Sequence, residues 1–144
     1  MILLGALSGA CAGASLLLLT HIAPSLALQQ VVRDVDEPRV FDKHISRREA
    51  HLVGVVVHVC AATVFGAVYG YFVREQLVPG FALIPLLGWG GVLWMFLGGI
   101  VMPIEGHGIF GVKEDSWFPV DLMITSFLWS FFYWIFVNIW VVLG

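Results

Sequence analysis

The last apolar segment of the chain reads FPVDLMITSFLWSFFYWIFVNIWVVL from Phe118 to Leu143, with Asp121 as its one charged residue. A helix needs about 20 apolar residues to cross a hydrocarbon core of about 30 Å, so this segment is long enough to span a bilayer. Because lipid offers no hydrogen-bond partners, the backbone must bond within the segment, which favours a helix. Its aromatic residues cover several faces, which is typical of lipid contact and a bulky bundle wall rather than a cofactor-stacking stripe.

Three further apolar segments precede this one. They run from Met1 to about Ile22, from His51 to Val73 and from Phe81 to Ile104. None alternates apolar and polar residues, which argues against barrel strands. The chain is 60% hydrophobic and 12% charged, which is more apolar than a soluble domain of this size can hide. We therefore predict an all-α fold, a single integral membrane domain over residues 1–144 in which four transmembrane helices form a bundle, at about 1–22, 47–73, 81–104 and 118–143.

A cleaved signal peptide is the alternative interpretation of the first segment. It lacks a basic n-region, and its apolar part extends past any cleavage site, so we expect a retained helix. After it, apolar residues recur at helical spacing: Leu28, Val31, Val32 and Val35. That spacing predicts an amphipathic cytoplasmic segment within Ala23–Ala50, lying on the membrane surface or extending helix one, followed by a solvated loop.

Local signals set the other helix ends. Ser46 and Glu49 fit a capping box, which starts the second helix at about Arg47. The sequence Val78-Pro79-Gly80 breaks the chain between helices two and three. Pro119 suits the first turn of helix four, where its missing N–H costs nothing.

The basic residues predict the orientation. Of the seven Lys and Arg residues, six fall in the loops after helices one and three: Arg33, Arg39, Lys43, Arg47, Arg48 and Lys113. Arg74 alone lies on the opposite side. The positive-inside rule then makes both of these loops cytoplasmic and both termini extracytoplasmic in the cell inner (plasma) membrane. The net charge is −3, and the sequence contains no basic patch of the kind that binds nucleic acid.

Small residues recur at four-residue steps on two of the predicted helices. They are Gly5, Gly9 and Gly13 on helix one and Ala62, Gly66 and Gly70 on helix two. Small side chains let helix backbones approach closely, which matters because lipid supplies no hydrophobic drive between helices. The pattern predicts a helix–helix contact, either inside the bundle or between copies. Cys11 and Cys60 show no metal or redox spacing and are interpreted as small packing residues.

His58 is the ionisable group that lies in the core of a predicted span, about two turns from the cytoplasmic end of helix two. An intramembrane ionisable residue is a candidate functional group. The alternative is a neutral imidazole bonded to a nearby carbonyl or hydroxyl. Because a polar ring in hydrocarbon would lack partners, we expect it to face the bundle interior, with Asp121 or Thr125 as its partner.

Other polar groups are expected at the same cytoplasmic edge. They are His21 after helix one, His51 at the start of helix two, Glu105 and His107 after helix three, and Asp121 at the start of helix four. Imidazole and carboxylate groups bind Zn, Fe, Cu or Mn. The candidate metal ligands are therefore His58, Glu105, His107 and Asp121, and the candidate cofactor-binding residues are His58 and His51. The cofactor is not specified, and the alternative is a set of ordinary interfacial polar residues.

Catalytic and transport signatures are missing from the sequence. It contains no GxSxG elbow, P-loop or dinucleotide fingerprint. Ion-coupled transport usually needs charged or broken-helix sites near the midplane, where this chain offers only hydroxyls such as Thr63 and Ser130. These observations favour a protein that is not an enzyme.

Two patterns resemble a group of uncharacterised small prokaryotic membrane proteins. The first is His58, Phe65 and Tyr69 on helix two; the second is the turn after helix three, formed by Met102, Pro103, Gly106, Gly108, Phe110 and Gly111. The resemblance covers roughly residues 50 to 111 and implies the four-helix fold. Members of the group often begin helix four with His-Leu, where this chain has Asp121-Leu122, so a shared site with two histidines is not implied here.

The sequence favours a non-enzymatic membrane protein that acts through helix packing, as an oligomer or as an accessory subunit of a larger membrane complex. Its partners would be the lipid bilayer and either further copies or other membrane subunits. One alternative is a metal-, haem- or quinone-binding redox protein that uses the cytoplasmic-edge histidines. A second alternative is an oligomeric channel for a small solute or for protons.

Overall fold

The computed structural model describes residues 1–22, 39–40, 43–44, 47–104, 106–113 and 116–143, with side chains described within 1–19, 52–104, 106–113 and 116–142. Its helices are α1 (Ile2–Ile22), α2 (Arg47–Arg74), α3 (Leu83–Ile104) and α4 (Phe118–Leu143). Two-residue strands β1 (Arg39–Val40) and β2 (Lys43–His44) pair antiparallel between α1 and α2, with Arg39 opposite His44. In the described residues, four helices are long and apolar enough to cross a membrane.

The helix bounds agree with the predicted spans to within two residues. The largest difference is at α3, which begins at Leu83 rather than Phe81 because Gly80 turns the chain with a positive φ of 97°. Ala82, the residue before the helix, is extended. The all-helical bundle is thus confirmed, and the short β1–β2 pair adds a detail that the expected loop did not include. The predicted amphipathic segment and the Ser46 cap lie outside the described residues.

The helices are arranged so that α1 contacts α2 and α4, and α3 contacts α4. The backbones of α2 and α3 stay farther apart, and large rings fill the space between them. Tyr69 of α2 is the centre of this filling, with its ring centroid 5.5 Å from Trp89 of α3 and 5.9 Å from Tyr133 of α4. Phe65 extends the same layer toward Phe96 at 5.2 Å. The core of the bundle is therefore largely aromatic on this side.

The predicted small-residue ridges meet each other inside the bundle. A Cβ added at Gly5 would overlap the Gly66 carbonyl oxygen, and a Cβ added at Gly66 would overlap the Gly5 carbonyl oxygen. Gly9 is equally close to the Ala62 carbonyl. The prediction of a close helix contact is confirmed, and both ridges are used within one chain. They therefore give no argument for contact between copies.

A second close approach joins α3 to α4. A Cβ at Gly90 would lie 2.5 Å from the Ser130 hydroxyl oxygen and 3.1 Å from the Ser126 carbonyl oxygen. Both serines are buried. Small residues thus bring together the two helix pairs α1–α2 and α3–α4, and the aromatic layer fills the space that is left.

Candidate functional site

His58 lies on α2 with its ring against α1. Its Nε2 atom is buried, and a Cβ at Gly13 of α1 would lie 3.9 Å from it. Among the described residues this nitrogen has no hydrogen-bond partner. The ring thus faces the bundle interior, but its Nε2 does not bond to Asp121 or Thr125, the expected partners, because α1 lies beside it. The Thr125 hydroxyl instead donates to the Asp121 carbonyl of its own helix at 2.8 Å.

The other predicted ligands are placed by the ends of α3 and α4. His107 lies in the loop after α3, where its backbone N–H donates to the Met102 carbonyl at 3.0 Å. Asp121 lies in the first turn of α4, where a carboxylate favours the positive end of the helix dipole. Glu105 and the side chain of His51 lie outside the described residues. In the part of the chain that is described, no group of three or more His, Cys, Asp or Glu residues is close enough to hold a metal ion.

The glycine-rich turn after α3 forms a well-defined structure. Its Phe110 has a positive φ of 54°, a left-handed conformation that is uncommon for a bulky residue. The ring packs directly on Gly98 and lies 4.6 Å from the ring of Trp94. The Trp94 indole N–H then donates to the Pro119 carbonyl at 3.0 Å. The turn thereby ties the end of α3 to the start of α4.

The end of α3 is wound as a π-helix over Leu97–Val101. Proline two residues later explains this, because Pro103 has no N–H and its ring would clash with the carbonyl four residues earlier. A wider turn moves that carbonyl aside, and the Met102 N–H donates to Leu97 instead. Sequence reasoning found Pro103 and the turn glycines but missed Trp94 and Gly98. The available signal was the pair Gly98-Gly99, five and four residues before Pro103.

Tyr133 lies where three helices meet. Its side chain is fully buried, and its hydroxyl donates to the Gly66 carbonyl of α2 at 3.1 Å. A Cβ at Gly5 of α1 would lie 3.0 Å from the same hydroxyl. From the sequence alone, this tyrosine is one ring of the aromatic wall of helix four. A phenol inside an apolar span needs a hydrogen-bond partner, and glycine steps on neighbouring helices expose carbonyls that can accept.

The fully buried Tyr69 donates its hydroxyl to the Gly80 carbonyl at 2.8 Å. The hydroxyls of Thr63, Thr125 and Ser126 donate to the carbonyl four residues earlier in their own helices. Other buried polar atoms have no partner in the described part of the chain; they belong to Ser8, His58, Trp89, Trp129 and Ser130.

No protein-family model matches the sequence, and no curated protein or solved structure is significantly similar to it. The resemblance over residues 50 to 111 therefore stays a prediction, and a functional proposal has to rest on the geometry of the bundle.

Proposed function

We propose that this chain is a multi-pass protein of the cell inner membrane that acts through helix packing, as an oligomer or as an accessory subunit of a larger membrane complex, rather than by catalysis. In this proposal the four helices cross the bilayer and both termini are extracytoplasmic, in keeping with the basic residues of the first and third loops.

The use of the buried positions carries this proposal. Small residues such as Gly5 and Gly66 form close contacts between helix backbones, and large rings such as Tyr69 fill the space between helices. Buried hydroxyls such as Ser126 donate to their own helix. An interior built in this way supports a rigid shape.

The outward faces of the helices also support the proposal. Val56, Val57 and Val64 of α2 are each 60% exposed. Apolar faces of this kind need to be covered by lipid acyl chains or by other membrane helices. A rigid bundle with apolar faces is suited to assembly in the plane of the membrane.

Purification from native membranes in a mild detergent tests the proposal. We expect further copies or another membrane protein to co-purify at a fixed ratio, with neither a visible absorption band nor stoichiometric metal. A chromophore or metal bound at one per chain would overturn the proposal. The same sample separates the packing interpretation from the redox alternative, because elemental analysis and absorbance do not depend on knowing the partner.

The redox alternative keeps one specific observation in its favour, the buried and unpaired Nε2 of His58. An imidazole nitrogen with a free lone pair is an axial ligand of haem or a ligand of zinc. If this alternative holds, His58→Ala should remove the absorption band or the metal from the purified protein. Unchanged metal and chromophore content in that variant would exclude His58 as the ligand.

A further inference from the structure

The outward face of α4 carries a seven-residue repeat, of which Leu128 also packs against the buried core of the bundle. Ile124, Phe131 and Asn138 follow one another at seven-residue steps, and Leu128, Ile135 and Val142 form the second row. Four of these residues are exposed: Ile124 to 38%, Phe131 to 41% and Val142 to 83%, together with Asn138. A repeat of 3.5 residues keeps one seam turned toward a partner helix in a left-handed coiled coil.

Asn138 is the one polar residue of this seam. Its side-chain amide donates one N–H to the Trp134 carbonyl of its own helix at 2.8 Å. The remaining N–H and the amide oxygen have no partner among the described residues, and the side chain is exposed. It lies in a shallow apolar groove of about 410 Å³ that is lined by Trp134, Ile135, Ile139 and Val142.

The depth of Asn138 makes its free amide groups costly. With 26 residues, α4 is about 39 Å long, so a hydrocarbon core of about 30 Å covers roughly its central 20 residues. Asn138 is five residues from the end of the helix at Leu143 and lies inside that central part. A lipid acyl chain would fill the groove but has neither a donor nor an acceptor for the amide.

A second copy of the chain would both fill the apolar groove and supply a hydrogen-bond donor and acceptor for the Asn138 amide. An amide is donor and acceptor at once, so Asn138 is complementary to Asn138 of a copy related by a two-fold axis. Polar side chains join membrane helices in this way, and a single asparagine in an apolar heptad seam fixes register and favours a defined oligomer. The apolar rows on either side of Asn138 would pack as knobs into holes.

We propose that α4 is a homodimer interface, in which two copies pack along the seam of Ile124, Leu128, Phe131, Ile135, Asn138 and Val142 and the two Asn138 amides bond to each other. This inference rests on the proposed function and deepens it, because it names a second copy as the packing partner and one helix face as the contact.

Disulfide cross-linking of the full chain in membranes tests the interface. In a Cys11→Ala, Cys60→Ala background, Val142→Cys places a thiol on the seam, and Val141→Cys places one on the adjacent position at the same depth. Val141 is 58% exposed, so both thiols are open to oxidant. Because a disulfide requires the two Cα atoms to lie within about 7 Å, we expect cross-linked dimer for Val142→Cys and little for Val141→Cys. Equal yields, or no dimer at position 142, would overturn the inference.

The asparagine is tested separately by dimerisation affinity in lipid vesicles, measured by energy transfer between labelled copies. Asn138→Leu keeps the branched shape of the side chain and removes the amide, so dimerisation should weaken by about 3- to 30-fold. Val141→Leu, a neighbouring change off the seam, should leave the affinity unchanged. An Asn138→Leu variant that dimerises as tightly as the wild type, while its melting temperature is also unchanged, would contradict the proposed amide pair.

Failure of this inference is distinguishable from failure of the proposed function. If the thiol at position 142 cross-links to a different membrane protein, the packing function stands and the second copy is the wrong partner. If the chain is monomeric and carries a stoichiometric metal or chromophore, both are wrong.

Discussion

Gly9 and Gly88 are both helical glycines, but only Gly9 lies in a tight contact with another helix. A Cβ at Gly9 would overlap the Ala62 carbonyl oxygen of α2, whereas nothing lies within 4 Å of a Cβ at Gly88 on α3. The four-residue steps of helix one were sufficient to predict that its glycines lie in a contact. They could not identify the partner helix, because a close approach looks the same in the sequence whether it occurs within one chain or between two.

Gly9→Leu should therefore destabilise the bundle. The leucine side chain forces α1 away from α2, and overpacking of this kind costs about 1–3 kcal/mol or more. Thermal unfolding of the purified variant in detergent should show a lower melting temperature. Gly88→Leu is the matched control and should change stability by no more than about 0.5 kcal/mol. Equal melting temperatures for the two variants would count against a close contact between α1 and α2 at Gly9.

Tyr133→Phe should remove one hydrogen bond while keeping the ring. The hydroxyl bonds to the Gly66 carbonyl at 3.1 Å in a buried setting, and such a bond between membrane helices is worth about 0.6–2 kcal/mol. We expect a moderate loss of thermal stability. Tyr71→Phe is the control, because Tyr71 is 45% exposed on α2 and its loss of a hydroxyl should have little effect. A Tyr133→Phe variant as stable as the wild type would show that the bond does not hold the helices together.

Among the elements, the four long helices were predictable and their mutual arrangement was not. Continuous apolar length, the break at Pro79-Gly80 and the position of Pro119 gave bounds that the structure reproduces closely. The π-helical end of α3 escaped prediction because the chain accommodates Pro103 with one wider turn instead of ending the helix there. The helix beside His58 also escaped prediction, because periodicity gives the face of a helix but not its neighbour.

Phe110 should control how firmly the turn holds α3 and α4 together. Phe110→Ala removes the ring from Gly98 and Trp94, a loss of about 1–3 kcal/mol in local packing. We expect trypsin to cleave after Lys113 faster than in the wild type, followed by the appearance of the 114–144 fragment in mass spectra. Val112→Ala is the control, since Val112 is 54% exposed. Unchanged cleavage in Phe110→Ala would mean that the ring contact does not order the turn.

For the whole molecule, the distribution of basic residues predicts the direction of insertion. Six of the seven Lys and Arg residues lie in the first and third loops, so both termini should be extracytoplasmic. A reporter fused after Gly144 that is active only outside the cytoplasm should give a signal. A fused reporter that is active only in the cytoplasm should give none, and activity of that second reporter would reverse the topology.

The mass of the intact assembly tests the central claim, that this bundle works by packing. Native mass spectrometry of the wild-type protein, released from nanodiscs, should give an assembly heavier than the 15.9 kDa chain. We predict two chains, or the chain with another membrane subunit, and no added mass for a metal, haem or quinone. A single chain at every concentration, or a chain carrying a stoichiometric prosthetic group, would contradict the account.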